Sequence, residues 1–209
     1  MEKELNYIAL EGGMGLGKKE LAQKLAKHLG AQTLIFEEEN PFLPLFYQDS
    51  SYAFQTQIYF LLARYKQQTL LRQPELFAPK VVANYVFEKD WIYAHLNLKD
   101  EELSLYEKIY DILKKDIIKP DLVIYLQANA QTIQERIRKR GMPYERDLPL
   151  DYINSLLNEY DAFFMHWDLS PILIVRVERV DLLNREEDFD SFLQVMLETK
   201  RGRKFFSKG

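Results

Sequence analysis

The chain has 209 residues, 47% hydrophobic and 29% charged, the composition of one soluble globular domain with a full core. Its net charge of −4 leaves no surplus of cations to displace the counterions of a polynucleotide, which excludes nucleic acid as the main partner. No apolar run is long enough to cross a bilayer, the charged start Met1-Glu2-Lys3-Glu4 is no signal peptide, and the lack of cysteine excludes disulfides and thiolate metal sites and fits a cytoplasmic protein.

Leu5 to Leu10 is a mostly apolar run ending in Glu11-Gly12-Gly13, which reads as a buried strand entering a tight turn. From Lys18 to Leu29, Leu21, Ala22, Leu25, Ala26 and Leu29 recur at helical spacing, and Gly30 supplies a stop. Gln32 to Phe36 is a second strand, Ser51 to Arg72 a long central helix, and Lys80 to Asn84 a third strand. A helix follows from Asp100 to Lys115, with Asp100 as its N-cap, acids in the first turn and lysines in the last. Leu122 to Leu126 is a fourth strand, Thr132 to Arg140 and Leu150 to Phe164 are helices, Ile172 to Val175 is a fifth strand and Phe189 to Leu197 a last helix. The alternation predicts an α/β fold, a three-layer sandwich in which helices flank a five-stranded parallel sheet. One domain spans residues 1–199, and Lys200 to Gly209 is expected as a basic, mobile tail. His28, His95 and His166 are scattered without metal-ligand spacing.

Gly12-Gly13-Met14-Gly15-Leu16-Gly17-Lys18 fits the G-x-x-x-x-G-K pattern between the first strand and the first helix. Glycines let the backbone wrap closely enough for its amides to face phosphate oxygens, and the helix start adds positive potential. Gly12, Gly15, Gly17 and Lys18 are therefore candidates for binding ATP, with Lys18 reaching the terminal phosphates; a merely flexible glycine turn is the plainer alternative. A P-loop next carries Ser or Thr, whose hydroxyl binds the Mg²⁺ that bridges the phosphates. Here Lys19 follows, then Glu20. An ammonium cannot ligate a cation, so Lys19 either brings its own charge to the phosphates or points to solvent.

Several further motifs occur in one order along the chain. They are Glu38-Glu39-Asn40-Pro41-Phe42-Leu43, Phe46-Tyr47, Tyr52-Ala53-Phe54-Gln55-Thr56-Gln57, Asn97-Leu98 before an acidic helix, Lys119-Pro120-Asp121-Leu122-Val123-Ile124-Tyr125-Leu126, and Arg136-Ile137-Arg138-Lys139-Arg140-Gly141. Together they resemble the bacterial deoxyadenosine/deoxyguanosine kinases over nearly the whole chain. The resemblance implies that Glu38 is the general base for the nucleoside 5′-hydroxyl, although Glu37 to Glu39 alone reads equally as a solvated acidic loop. It implies that Gln57, Arg64 and Asp90 hydrogen-bond the base edge. Seven residues separate Gln57 and Arg64, which therefore share a helix face, while Gln55 lies about 200° round from Gln57. Tyr47 and Glu145 match the residues that hold the sugar 3′-hydroxyl, and Phe42, Phe46, Phe54 and Phe87 offer rings to sandwich the base. Arg136 and Arg140 belong to a lid, about residues 136–147, that closes over the transferred group.

Three positions depart from the family pattern. Asn84 stands where an acid is expected, Lys19 where a hydroxyl is, and Met142 where a lid arginine is, although Arg138 and Arg146 lie nearby. The resemblance implies ATP as phosphoryl donor with Mg²⁺, but Lys19 and Asn84 argue against a metal site, and no metal ligand is assigned. It also implies a dimer through helices, either with a second copy or with a paralogue, and the Tyr59 to Leu62 stretch is a candidate contributor. The leading expectation is ATP-dependent phosphorylation of the 5′-hydroxyl of a deoxynucleoside, with a lean to purines. The alternative is a catalytically degenerate relative that binds nucleoside or serves as a regulatory or partner subunit. A weaker third reading is a P-loop kinase for nucleotides or small metabolites.

Overall fold

A computed structural model of the chain describes residues 4–37, 39–72 and 80–208. All six residues of Tyr7–Gly12 (β1) are buried, as a strand covered on both faces requires. Lys18–Leu29 (α1) buries Leu21, Ala22, Leu25 and Ala26, and stops at Gly30, whose φ of 61° lets its N–H reach back to the Ala26 carbonyl. The chain continues through Gln32–Leu34 (β2), the short helix Leu43–Phe46 (α2), a 3₁₀ turn at Ser50–Tyr52, and Ala53–Leu70 (α3). Next come Val81–Ala83 (β3), Lys89–Asn97 (α4), Asp100–Leu113 (α5), Leu122–Gln127 (β4), Ala130–Arg140 (α6) and Leu150–Met165 (α7). Ile172–Arg176 (β5), Glu186–Glu198 (α8) and Arg203–Phe206 (β6) complete it.

The sheet order is β2-β3-β1-β4-β5-β6, and every neighbouring pair is parallel. Both neighbours of β1 come later in the chain, β3 on one side and β4 on the other, so the order reverses at β1. A crevice opens beyond the carboxyl ends of the strands at such a reversal. The main core lies between sheet and helices, where Tyr160 and Phe164 of α7 stack with Tyr125 of β4. A second cluster joins α3, α4 and α5 through Leu61, Phe87, Ala94, Leu98, Tyr106 and Tyr110. No helix of the described residues is long and apolar enough to cross a membrane.

The structure corrects the sequence reading in four places. The sheet has six strands, because residues 203–206 of the expected mobile tail pair with β5 from Ile172↔Arg203 to Val175↔Phe206. Charge masked this strand in the sequence: Arg203 and Lys204 sit on an edge, where cations deter further pairing, while Phe206 is buried against Phe192. Helix α4 was not expected, since its aromatic and charged residues show no clean apolar stripe. Asp100 does not cap α5; it is the first helical residue, with a φ of 48°, and the extended residue before it is Lys99. The lysines expected in the last turn of α5 fall in a separate 3₁₀ turn, Lys114–Asp116.

Candidate functional site

The loop after β1 has almost no room for side chains. A Cβ on Gly12 would lie 2.4 Å from the Leu126 carbonyl oxygen, and its φ of +149° disfavours other residues. At Gly15, with φ +71°, a Cβ would come within 3.1 Å of the Arg136 Cβ, so the loop rests against α6. Gly17 takes a left-handed φ of 70° as the entry to α1. Lys18 Nζ donates to the Gly12 and Gly13 carbonyls at 2.6 and 2.8 Å and lies 3.9 Å from Glu11. The fully buried Glu11 carboxylate accepts from the Gly12 and Val86 amides at 2.8 and 3.1 Å and from the Tyr160 hydroxyl at 3.3 Å. It holds loop, lysine and the β3–α4 turn together. A charged residue closing an apolar strand was the signal for it in the sequence.

This loop opens on a cleft of about 1210 Å³ at the carboxyl edge of the sheet. Gly15, Gly17, Lys18, Lys19, Arg64, Arg136, Arg140 and Glu145 all line it. Gln57, Asp90, Tyr47 and Gly12 are not on that lining. Glu38 lies outside the described residues, as does nothing else among the candidate site residues. Gln57 and Arg64 do share the buried face of α3, and Gln55 is on the exposed side.

Arg64 donates to Asp90 Oδ1, and both side chains are only 2% exposed. The guanidinium lies 4.4 Å from the Phe36 ring centroid, 4.9 Å from Phe60 and 5.7 Å from Tyr85, close enough for cation–π attraction. Burial pushes the Asp90 carboxyl up to about 6, and the Arg64 charge offsets this only in part. Gln57 Oε1, Asp90 Oδ2 and the Tyr85 hydroxyl are buried without a hydrogen-bond partner among the described residues. Phe36 and Tyr85, with Tyr144 on the lid side, are the aromatic residues on the cleft's described lining. The four expected rings are not on it: Phe87 is 1% exposed and stacks on Tyr110, and Phe46 and Phe54 pack on the α3–α5 cluster. Phe42 instead meets Tyr59 edge-on at 6.2 Å.

On the lid side, Arg140 donates to Glu145, which is 3% exposed, and Tyr144 stacks on Tyr47 at 5.8 Å. Tyr47 therefore sits beside the residue preceding Glu145. Arg136, Lys139 and Met142 also face the cleft, whereas Arg138 and Arg146 are exposed and off its lining. Lys19 pairs with Glu37 on the rim, and that bond raises the ammonium's pKa. Asn84 uses both ends of its amide on one neighbour: Oδ1 accepts from the Phe36 N–H at 2.9 Å, and Nδ2 donates to the Phe36 carbonyl at 3.3 Å.

Residues 177–185, between β5 and α8, form the remaining wall and were not expected from the sequence, which gives them no motif. Asp181 shapes this loop by accepting from the Leu183 and Asn184 amides at 3.2 and 3.0 Å. Asp188 fastens it from below, accepting from the Asp181 N–H at 2.7 Å and pairing with Lys208 at 2.6 Å.

Residues 8–199 match the family model described as deoxynucleoside kinase. The chain is 34% identical over 193 residues to a deoxyguanosine kinase of Bacillus subtilis (strain 168), covering 88% of this chain and 92% of that one. It is 30% identical over 197 residues to the deoxyadenosine/deoxycytidine kinase of the same organism, with 90% of each covered. A solved structure of deoxyadenosine kinase from M. mycoides with bound dCTP aligns at a TM-score of 0.76 and 26% identity, covering 91% of this chain and 98% of that one. Phosphate loop, strand order and relatives agree: the chain belongs to the deoxynucleoside kinase family.

Proposed function

We propose that this chain transfers the γ-phosphoryl group of ATP to the 5′-hydroxyl of a deoxynucleoside, with a purine as its base. The observation that carries this reading is the buried pair of Arg64, which lines the cleft, with Asp90, together with unmet acceptors at Asp90 Oδ2 and at Gln57 Oε1 on the same buried face of α3. A buried acceptor without a donor costs ~1–3 kcal/mol. The amino group of a purine edge supplies a donor, to which guanine adds its ring N1–H, while Arg64 serves the ring's acceptors. Relatives named for deoxyguanosine and deoxyadenosine favour the purine, although one is named for deoxycytidine as well and one solved structure holds dCTP.

In the reaction, Lys18 moves from the loop carbonyls to the β- and γ-phosphates, which the loop amides cradle. Tyr47 and Glu145 hold the 3′-hydroxyl. The 5′-oxygen bonds to the γ-phosphorus as the bond from that phosphorus to ADP breaks, and the hydroxyl proton passes to Glu38. Arg136 and Arg140 steady the charge on the transferring group. Mg²⁺, which P-loop kinases use, does not fit the residues present: Lys19 replaces the hydroxyl ligand, and the Asn84 amide is committed to Phe36. None of these steps draws on a metal.

The same two residues, with Met142, favour a second reading in which nucleoside binds without transfer. Incubation with each deoxynucleoside and ATP, followed by chromatography for the 5′-monophosphate, separates the two. Product from a purine deoxynucleoside supports the first reading. Binding without product, with turnover appearing in the Lys19→Ser, Met142→Arg double variant, supports the second. Tyr59, Leu62 and Ile112, which are 38%, 48% and 65% exposed, support assembly through α3 and α5 with a like chain or a paralogue; sedimentation tests it.

A further inference from the structure

We propose that this cleft takes the polyphosphate of its nucleotide free of divalent cation, with Lys19 supplying charge that a bridging metal would bring. The inference rests on the reading that the phosphate loop holds a nucleotide. The chain as a whole carries −4, yet the described residues lining the cleft comprise nine Lys or Arg and six Asp or Glu, a local surplus of three cations. That surplus suits a bare anion better than one already neutralised by a dication.

Three of the six acids on the described lining are committed elsewhere. Glu145 is paired with Arg140 and Glu178 accepts from the Asn129 amide at 2.6 Å, while Glu20, Glu37 and Glu39 are exposed on the rim. Asp181 is turned onto its own loop amides. Asn84 brings no charge and its amide braces Phe36 at the end of β2. Lys19, by contrast, is available: it directly follows Lys18 at the start of α1, faces the cleft, and its pair with Glu37 is exposed on both sides, at 44% and 59%. Exposed pairs of this kind are weak and exchange readily for a phosphate. A lysine ammonium is an effective point charge for phosphate, and needs none of the dehydration that Mg²⁺ resists.

Titration calorimetry on the full chain tests this with ATP in EDTA, ATP with excess MgCl₂, and inorganic tripolyphosphate in EDTA. The expected result is an ATP affinity in EDTA within about twofold of that with Mg²⁺, and measurable tripolyphosphate binding. Lys19→Ser should weaken binding in EDTA about tenfold or more, and Lys19→Arg should largely preserve it. A gain of about tenfold on adding Mg²⁺ to the wild type, or an unchanged affinity in Lys19→Ser, overturns the inference and leaves the kinase reading standing. Absence of ATP binding under both conditions overturns both.

Discussion

The Asp90 carboxylate is held in its charged form against the preference of its surroundings, and replacing it makes that cost measurable. Burial raises the group from 3.8 to about 6, the Arg64 charge lowering it only in part. A carboxyl raised in the fold holds its proton more tightly there than in the unfolded chain. Its contribution to stability is therefore complete below about pH 4 and lost as the pH rises through about 6. At 1.36 kcal/mol per pH unit, the loss is about 3 kcal/mol. Asp90→Asn keeps the shape and an acceptor for Arg64, whose guanidinium still lies over Phe36 and Phe60. Relative to the wild type, the variant should gain about 3 kcal/mol of stability between pH 4 and pH 7.5. Purine deoxynucleoside affinity should fall about 100-fold, because an amide cannot replace a charged acceptor. Urea unfolding of both proteins at pH 4, 6 and 7.5 reads the difference. Glu88, which burial pushes up to about 7, titrates in both and largely cancels. A stability difference between the two proteins that stays the same from pH 4 to pH 7.5 would refute the reasoning.

Gly12→Ala should cost about 2 kcal/mol or more in thermal unfolding and abolish stabilisation by ATP, because its Cβ meets the Leu126 carbonyl at 2.4 Å. Asn84→Asp, the acid that the resemblance leads one to expect there, loses the donor to the Phe36 carbonyl and sets a charge against it. It should destabilise by ~1–3 kcal/mol in urea and gain no Mg²⁺ dependence of ATP binding. Ending the chain at Thr199 removes β6 and the buried Phe206, worth ~1.5–3 kcal/mol, and frees Asp188 from Lys208. Limited proteolysis should then cut within residues 177–185, and ATP affinity should fall, whereas Phe206→Ala alone should lower stability and leave the loop protected.

What the sequence made legible is what local chemistry dictates. Helix α1 was read to its end residues because Lys18 follows a glycine loop and Gly30 takes the left-handed turn that stops it. The parallel sheet followed from strands alternating with helices. Helix α4 and strand β6 escaped because charges and aromatics break the apolar period, and only packing on Tyr106, Tyr110 and Phe192 defines them. In the site, Gln57 and Arg64 were placed together by helical geometry. Asp90 lies 26 residues further on, and only the family resemblance linked it to Arg64. The aromatic wall was misassigned because a phenylalanine reads the same in a core as in a pocket: Phe87 proved to be core, and Phe36 and Tyr85 face the cleft. The Asn84 amide was read against a metal, while its actual partner is the Phe36 backbone, 48 residues earlier just past the end of the neighbouring strand β2, where no local signal links the two.

The account depends on the cleft reading a nucleoside base through Arg64 and Asp90. Calorimetric titration of deoxyguanosine and deoxyadenosine into the wild type and into Arg64→Met, at pH 7.5, tests that most directly. The prediction is saturable binding of at least one purine deoxynucleoside by the wild type, and a loss of about 100-fold in a variant that still folds. Equal binding by the two proteins, or no binding of either purine deoxynucleoside by the wild type, would contradict it.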